Sequence, residues 1–101
     1  MLILVKILFK SKKLERECRE YNITKRKYGQ NADKIHQRLG ELEALENLQI
    51  GLQFEIGGLH PLKGDREGQY AMSLNHPHRL ILIEECAEQN TVRILEIVDY
   101  H

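Results

Sequence analysis

The chain is expected to fold as an α+β domain, with two N-terminal helices packed on a small, mostly antiparallel sheet. Three observations lead there. An apolar, β-branched run opens the sequence, two stretches with a helical apolar period follow, and runs with strand character fill the last third. With 101 residues, 42% of them hydrophobic, the chain holds one core and is read as a single domain spanning 1–101.

Each element follows from its local pattern. Met1 to Phe9 is rich in Leu, Ile and Val and reads as a buried first strand. Both of its faces are apolar, and the face of Leu2, Leu4 and Leu8 is expected to pack on a minor core. Ser11 caps a helix whose stripe is Leu14, Cys18 and Tyr21. Asn22 to Gln30, with Gly29 near its end, breaks the stripe and reads as a turn. Asn31 then caps a second helix, with Ala32, Ile35, Leu39, Leu42 and Leu45 at spacings of three and four. Gly40 weakens it by about 1 kcal/mol relative to alanine. Asn47 to Gly58 is transitional and ends in a Gly57-Gly58 turn. Tyr70, Met72 and Leu74 alternate with Gln69, Ala71 and Ser73, as in a half-buried strand. Leu80 to Ile83 is uniformly apolar, as in a central strand. A polar loop at Glu84 to Asn90 precedes a last strand from Thr91 to Val98.

Charge and cysteine content narrow the function classes. Lys+Arg and Asp+Glu each total 15, which disfavours a generic polyanion binder. The distribution is uneven. Residues 1–39 carry 11 basic and 4 acidic side chains, and residues 40–101 carry 4 basic and 11 acidic, so a basic face is possible on a neutral protein. Cys18 and Cys86 form no metal or redox spacing and suit a reducing compartment. The opening apolar run is shorter than the roughly 20 residues that span a bilayer. It also lacks signal-peptide features, so no membrane and a cytoplasmic location are expected.

Among five histidines, His36 lies in a charged helix and is expected at the surface. His76 and His78 flank Pro77 and could share a face as metal ligands, but no third donor stands at a companion spacing, so no metal or other cofactor is expected. The densest chemical signal is Leu59-His60-Pro61-Leu62-Lys63-Gly64-Asp65-Arg66-Glu67-Gly68-Gln69-Tyr70. There a histidine, a lysine and an arginine fall within seven residues, and Gly64 and Gly68 let the backbone turn closely around a ligand. Lys63 and Arg66 are two of only four basic residues after Gly40, so a solvated charged face explains their clustering poorly. Arg79 borders an apolar strand, a place for an arginine paired to an acid or aimed at an anion. The sequence ends in three ionisable groups, Asp99-Tyr100-His101. This inventory fits metal-free cleavage of RNA by its own 2′-OH. Histidines would move protons and Arg and Lys would hold the negative charge that develops on the phosphate.

At these same residues the sequence resembles the HigB, or plasmid-maintenance killer protein, family of the RelE/ParE toxin superfamily. The resemblance rests on Leu59 to Gln69, on Arg79 with Leu80-Ile81, and on Asp99-Tyr100-His101, and the order of elements extends it over the whole chain. It implies the toxin of a type II toxin–antitoxin system, a ribosome-dependent endoribonuclease that cleaves mRNA in the ribosomal A site. It also implies a HigA-like helix-turn-helix antitoxin as partner, with operator DNA contacted only through that antitoxin. By resemblance, His60, Asp99, Tyr100 and His101 are the catalytic candidates. Lys63, Arg66 and Arg79 are the RNA and phosphate contacts, and the division into general acid and general base stays open. The sequence departs from the family in its neutral charge and in having Tyr70 and His78 where relatives often carry Trp. Three other classes stay open: a ParE-like gyrase inhibitor without catalysis, an inactive antitoxin-binding member, and a metal-dependent hydrolase using His76 and His78.

Overall fold

A computed structural model describes residues 4–99. Its order is β1 (Lys6–Phe9), α1 (Lys12–Arg19), α2 (Tyr21–Tyr28), α3 (Ala32–Glu43), α4 (Leu48–Gln53), β2 (His60–Pro61), β3 (Gln69–Ser73), β4 (His78–Cys86) and β5 (Thr91–Asp99). The five strands form one sheet in the order β1-β5-β4-β3-β2, antiparallel except for the β1–β5 pair. The helices cover one face. Val5 just before β1, Phe9 of β1, Met72 of β3, Leu80 and Leu82 of β4, and Val92 and Ile94 of β5 meet Leu14, Cys18, Ile35, Leu39 and Leu42 from the helices in one core. The α+β expectation is met, and Leu80 to Leu82 occupies the sheet's centre with no exposed surface.

Three elements differ from the sequence reading, the shortest difference being Glu84 to Cys86, read as loop but forming the end of β4 paired with Val92 and Thr91. The segment read as a turn at Asn22 to Gln30 is mostly helix α2. Its apolar stripe is thin because a polar residue does part of the burying: Thr24 is fully buried and returns its hydroxyl to the Glu20 carbonyl at 3.0 Å. Gly29, at φ +56°, then stops it. Within the stretch read as transitional, Asn47 Oδ1 accepts from the Ile50 N–H at 2.9 Å and starts the six-residue α4, whose Leu48 is buried. Ser11 caps α1 as expected, accepting from the Leu14 N–H at 3.0 Å. Asn31 does not cap α3 with its side chain. Its Oδ1 accepts instead from the Asn75 N–H at 2.8 Å, which ties the start of α3 to the β3–β4 turn.

Of the first strand, Met1, Leu2 and Ile3 lie outside the described residues. Val5 and Phe9 join the core, whereas Leu4 is 41% exposed, so the minor core expected on its face does not enclose it. Arg93 fastens the parallel pair, donating from Nη1 to the Phe9 carbonyl at 2.7 Å and from Nε to Glu85 at 2.6 Å.

The register along β5 changes once in mid-strand. Leu82 stands opposite Ile94 but Ile81 stands opposite Glu96, so Leu95 is an extra residue, a β-bulge. The bulge turns Glu96 outward and returns Ile97 to the core side. Gly40 sits inside α3 with no atom within 4 Å of where a Cβ would stand. Gly40→Ala is therefore expected to stabilise the protein by about 0.5–1 kcal/mol, read as a raised urea midpoint at unchanged slope.

Candidate functional site

Strand alternation and register define the face of the sheet opposite the helices. One cross-strand row on it is His60, Ala71, Ile81 and Glu96. On one side of this row lie Ser73, Arg79 and Val98, and on the other Gln69, Ile83 and Arg93. His60 and Arg79 thus share a face. Their backbones are separated by two strand spacings, roughly 10 Å, across the sheet and by about 7 Å along it, within reach of two long side chains converging on one phosphodiester.

His60 is exposed, and its Nδ1 lies 2.7 Å from the Gly58 carbonyl. A carbonyl only accepts, so Nδ1 carries a proton, and in the neutral ring the lone pair is left on Nε2. The imidazole is thereby held in the tautomer that presents a base away from the backbone. Arg79 donates Nη1 to the His78 carbonyl at 2.9 Å and, among the described residues, pairs with no carboxylate. Its remaining donors form a planar fork suited to a phosphate.

The β2–β3 loop is closed at its base by the Leu62 N–H donating to the Gln69 carbonyl at 2.9 Å. Lys63 is exposed on it and pairs with no carboxylate among the described residues. Arg66 sits in the 3-10 turn Gly64–Arg66, and its Nη1 donates to Gln69 on β3 at 2.8 Å and to Glu96 on β5 at 3.1 Å. A guanidinium bonded to the strands on either side of β4 must cross β4 itself, where Ile81 and Ile83 face outward. With Nη1 engaged this way, Arg66 braces the face and has only its other donors left for an anion.

Asp99 does not lie on this face. Register pairs it with His78 on the side of Leu80, and His78 Nε2 stands 3.9 Å from Asp99 Oδ2. Alternation therefore separates Asp99 from His60 and supplies it with His78 as a neighbour, a relation the sequence did not suggest. Tyr100 and His101 lie outside the described residues. Tyr70 packs against the helix-side core and His78 points to that same side, so neither lies on the His60 face.

Other candidates resolve more simply. Burial pushes the Cys18 thiol up to about 12, and the neighbouring Glu17 adds to the shift, so Cys18 stays protonated and is no nucleophile. His36 is half-buried rather than at the surface, with Nε2 3.3 Å from the Thr24 hydroxyl and its ring edge-on to Tyr21. The His76-Pro77 pair lies in the β3–β4 turn, as its proline suggested. Among the described residues no three His, Cys, Asp or Glu side chains gather as a metal would require, and no helix is long and apolar enough to cross a membrane.

The basic first half is only partly neutralised. Arg16 pairs with Glu20, Arg19 with Glu43 and Lys27 with Glu17. Among the described residues Lys12, Lys13, Lys25, Arg26 and Lys34 have no carboxylate partner. Lys12, Lys13 and Arg16 line a groove of about 480 Å³ together with Glu17 and Ile23.

Residues that sequence reasoning missed lie behind the site. Arg38 of α3 is 8% exposed and donates from Nε to the Ser73 carbonyl at 2.6 Å and from Nη1 to Glu41 Oε1 at 2.9 Å. In sequence it is one more cation on a charged helix, and only its position on the Ile35, Leu39 and Leu42 side of α3 hints at burial.

No family profile and no curated protein sequence matches the chain. Solved structures do. The YoeB–YefM complex from Staphylococcus aureus contains a chain that superposes with a TM-score of 0.61 at 24% identity, over 96% of this chain and 97% of that one. The YoeB dimer from the same organism gives 0.60 at 24% identity with the same coverage. A YoeB/ParE toxin from Agrobacterium tumefaciens gives 0.59 at 15% identity, over 96% of this chain and all of that one. The two-layer arrangement described above is thus the fold of YoeB/ParE-type toxins, shared along nearly the whole chain.

Proposed function

We propose that the protein is the toxin of a type II toxin–antitoxin system, of the HigB type within the RelE/ParE superfamily, and cleaves messenger RNA in the ribosomal A site. One observation carries the reading. Of the four basic residues after Gly40, Arg66 and Arg79 lie with His60 on the face of the sheet opposite the helices, and Lys63 is exposed on the loop that leaves β2. A solvated surface in an acidic half of the chain has no reason to concentrate its few cations there. The shared fold with toxins solved as YoeB–YefM complexes adds support for a toxin that docks with an antitoxin.

In the proposed chemistry His60 Nε2 takes the proton from a 2′-OH, and the oxygen attacks the adjacent phosphorus. Arg79 binds the non-bridging oxygens as charge builds on them, and Lys63 and the remaining donors of Arg66 contact the RNA backbone alongside. The P–O5′ bond breaks, a proton is delivered to the leaving oxygen, and a 2′,3′-cyclic phosphate and a 5′-OH result. Tyr100 and His101 are the proposed sources of that proton and of RNA contacts, with Asp99 orienting His78 or the residues that follow it. The partners are a HigA-like helix-turn-helix antitoxin, through which operator DNA is reached, and the ribosome with its mRNA. The unpaired cations Lys12, Lys13, Lys25, Arg26 and Lys34 suit a ribosomal RNA surface, with binding expected to weaken as salt rises.

Primer extension on a defined mRNA, with purified protein and with or without translating ribosomes, tests this. Cuts at codon positions only in the ribosome arm are the expected result. No cuts in either arm from folded protein freed of antitoxin would discard the nuclease reading in favour of a gyrase-directed or purely antitoxin-binding protein.

A further inference from the structure

We infer that Arg38, together with Glu41, is a positioning residue that fixes the tautomer of His60, an inference that rests on His60 being the proton-transfer group proposed above. Arg38 touches neither His60 nor the outer face; it acts through the turn before β2. That turn is seated on the Arg38–Glu41 pair. A Cβ on Gly57 would stand 2.7 Å from Glu41 Oε1 and 2.8 Å from Arg38 Cδ, so the backbone there lies directly against both side chains. Gly57 and Gly58 have φ values of +62° and +75°, which side chains with a Cβ rarely adopt, and a Cβ on Gly58 would come within 2.5 Å of Ser73 Oγ. The turn is therefore clamped between α3 on one side and β3 on the other. Its product is the Gly58 carbonyl, aimed at His60 Nδ1 at 2.7 Å.

The same guanidinium reaches the other half of the site. Arg38 Nε donates to the Ser73 carbonyl at 2.6 Å, and Ser73 is the cross-strand partner of Arg79. Arg38 thus packs its Cδ against the turn that orients the base, holds in place the Glu41 carboxylate that abuts the same turn, and bonds the strand position opposite the phosphate-binding arginine. Packing alone does not require an ion here, because an apolar side chain of similar volume serves a core as well. The forked geometry does, since two acceptors on different elements must be met at once.

The test reads the tautomer itself. In uniformly ¹⁵N-labelled protein, two-bond ¹H–¹⁵N correlations distinguish the Nδ1-protonated from the Nε2-protonated imidazole, with the His60 signals identified by their loss in His60→Gln. Wild-type His60 is expected in the Nδ1-protonated form. Arg38→Met is expected to shift it to the Nε2-protonated form and to slow cleavage on ribosomes by about tenfold or more at unchanged KM. A folded Arg38→Met protein whose His60 remains Nδ1-protonated overturns the inference. If that variant does not fold, Arg38→Lys replaces it. A single ammonium cannot reproduce the fork, so both tautomers are then expected, and a pure Nδ1-protonated signal overturns the inference equally. Absence of cleavage by the wild type would strike the nuclease reading instead, which the tautomer measurement does not depend on.

Discussion

Replacing His60 by glutamine is expected to lower ribosome-dependent cleavage by about 10²–10⁴, the usual contribution of one well-placed proton-transfer group. Glutamine preserves the size and polarity of the side chain but cannot take up a proton at the position of Nε2. His60 is exposed and, among the described residues, bonds only to a carbonyl two residues away, so the fold does not depend on it. The stability change should stay within about 0.5 kcal/mol, measured as the urea midpoint alongside the single-turnover rate. A large rate loss at constant stability is the signature of a group that acts in the reaction. A variant retaining more than a third of the wild-type rate would remove His60 from the mechanism and shift the proton transfers to the Asp99-Tyr100-His101 end.

Arg79→Ala is expected to cost about 10²–10³ in the same assay, comparable to removing a preorganised donor from an oxyanion-stabilising site. The guanidinium is oriented before substrate arrives, with one nitrogen anchored on the His78 carbonyl at 2.9 Å, so little ordering remains to be done when the phosphate binds. Arg79→Lys keeps the charge but loses the fork, and should recover only part of the loss. If charge alone mattered, lysine would restore the full rate, and the assignment of Arg79 as an in-line phosphate clamp would fail. Raising salt should affect Arg79→Ala no more than wild type, because the long-range attraction to the ribosome comes from the cations of α1 and α2.

What could be read from sequence depended on how much chain a signal occupies. The apolar run at Leu80 to Ile83 and the alternation at Tyr70, Met72 and Leu74 span enough residues to fix both strand type and facing, and both are found as expected. Helix α4, with six residues, is shorter than two turns and offers no period to detect. Helix α2 hides because Thr24, buried through its bond to the Glu20 carbonyl, does not look like a core residue. Within the candidate site, the glycine-flanked motif pointed to His60, Lys63 and Arg66 from composition alone. It could not reveal that Arg66 is tethered to Glu96, since those two residues are thirty apart in sequence. The role of Arg38 was equally out of reach, because it depends on α3, β3 and the Gly57-Gly58 turn meeting around one side chain.

The extra residue at Leu95 has a consequence for how this chain can vary. A bulge acts as a half-period phase step: every side chain after it points to the side it would otherwise avoid. Without it, Glu96 would be driven among the core leucines, Arg66 would lose its anchor on β5, and Asp99 would turn to the face of Arg79, away from His78. The facing of Glu96 to Asp99 is thus encoded in a count of residues more than in their identity. Deleting Leu95 removes the bulge and leaves Ile94, Glu96 and Ile97 facing as they do, whereas keeping all the residues in an unbulged strand inverts every one from Glu96 to Asp99. The match between residue count and bulge in this strand is therefore what selection on the site has to hold constant.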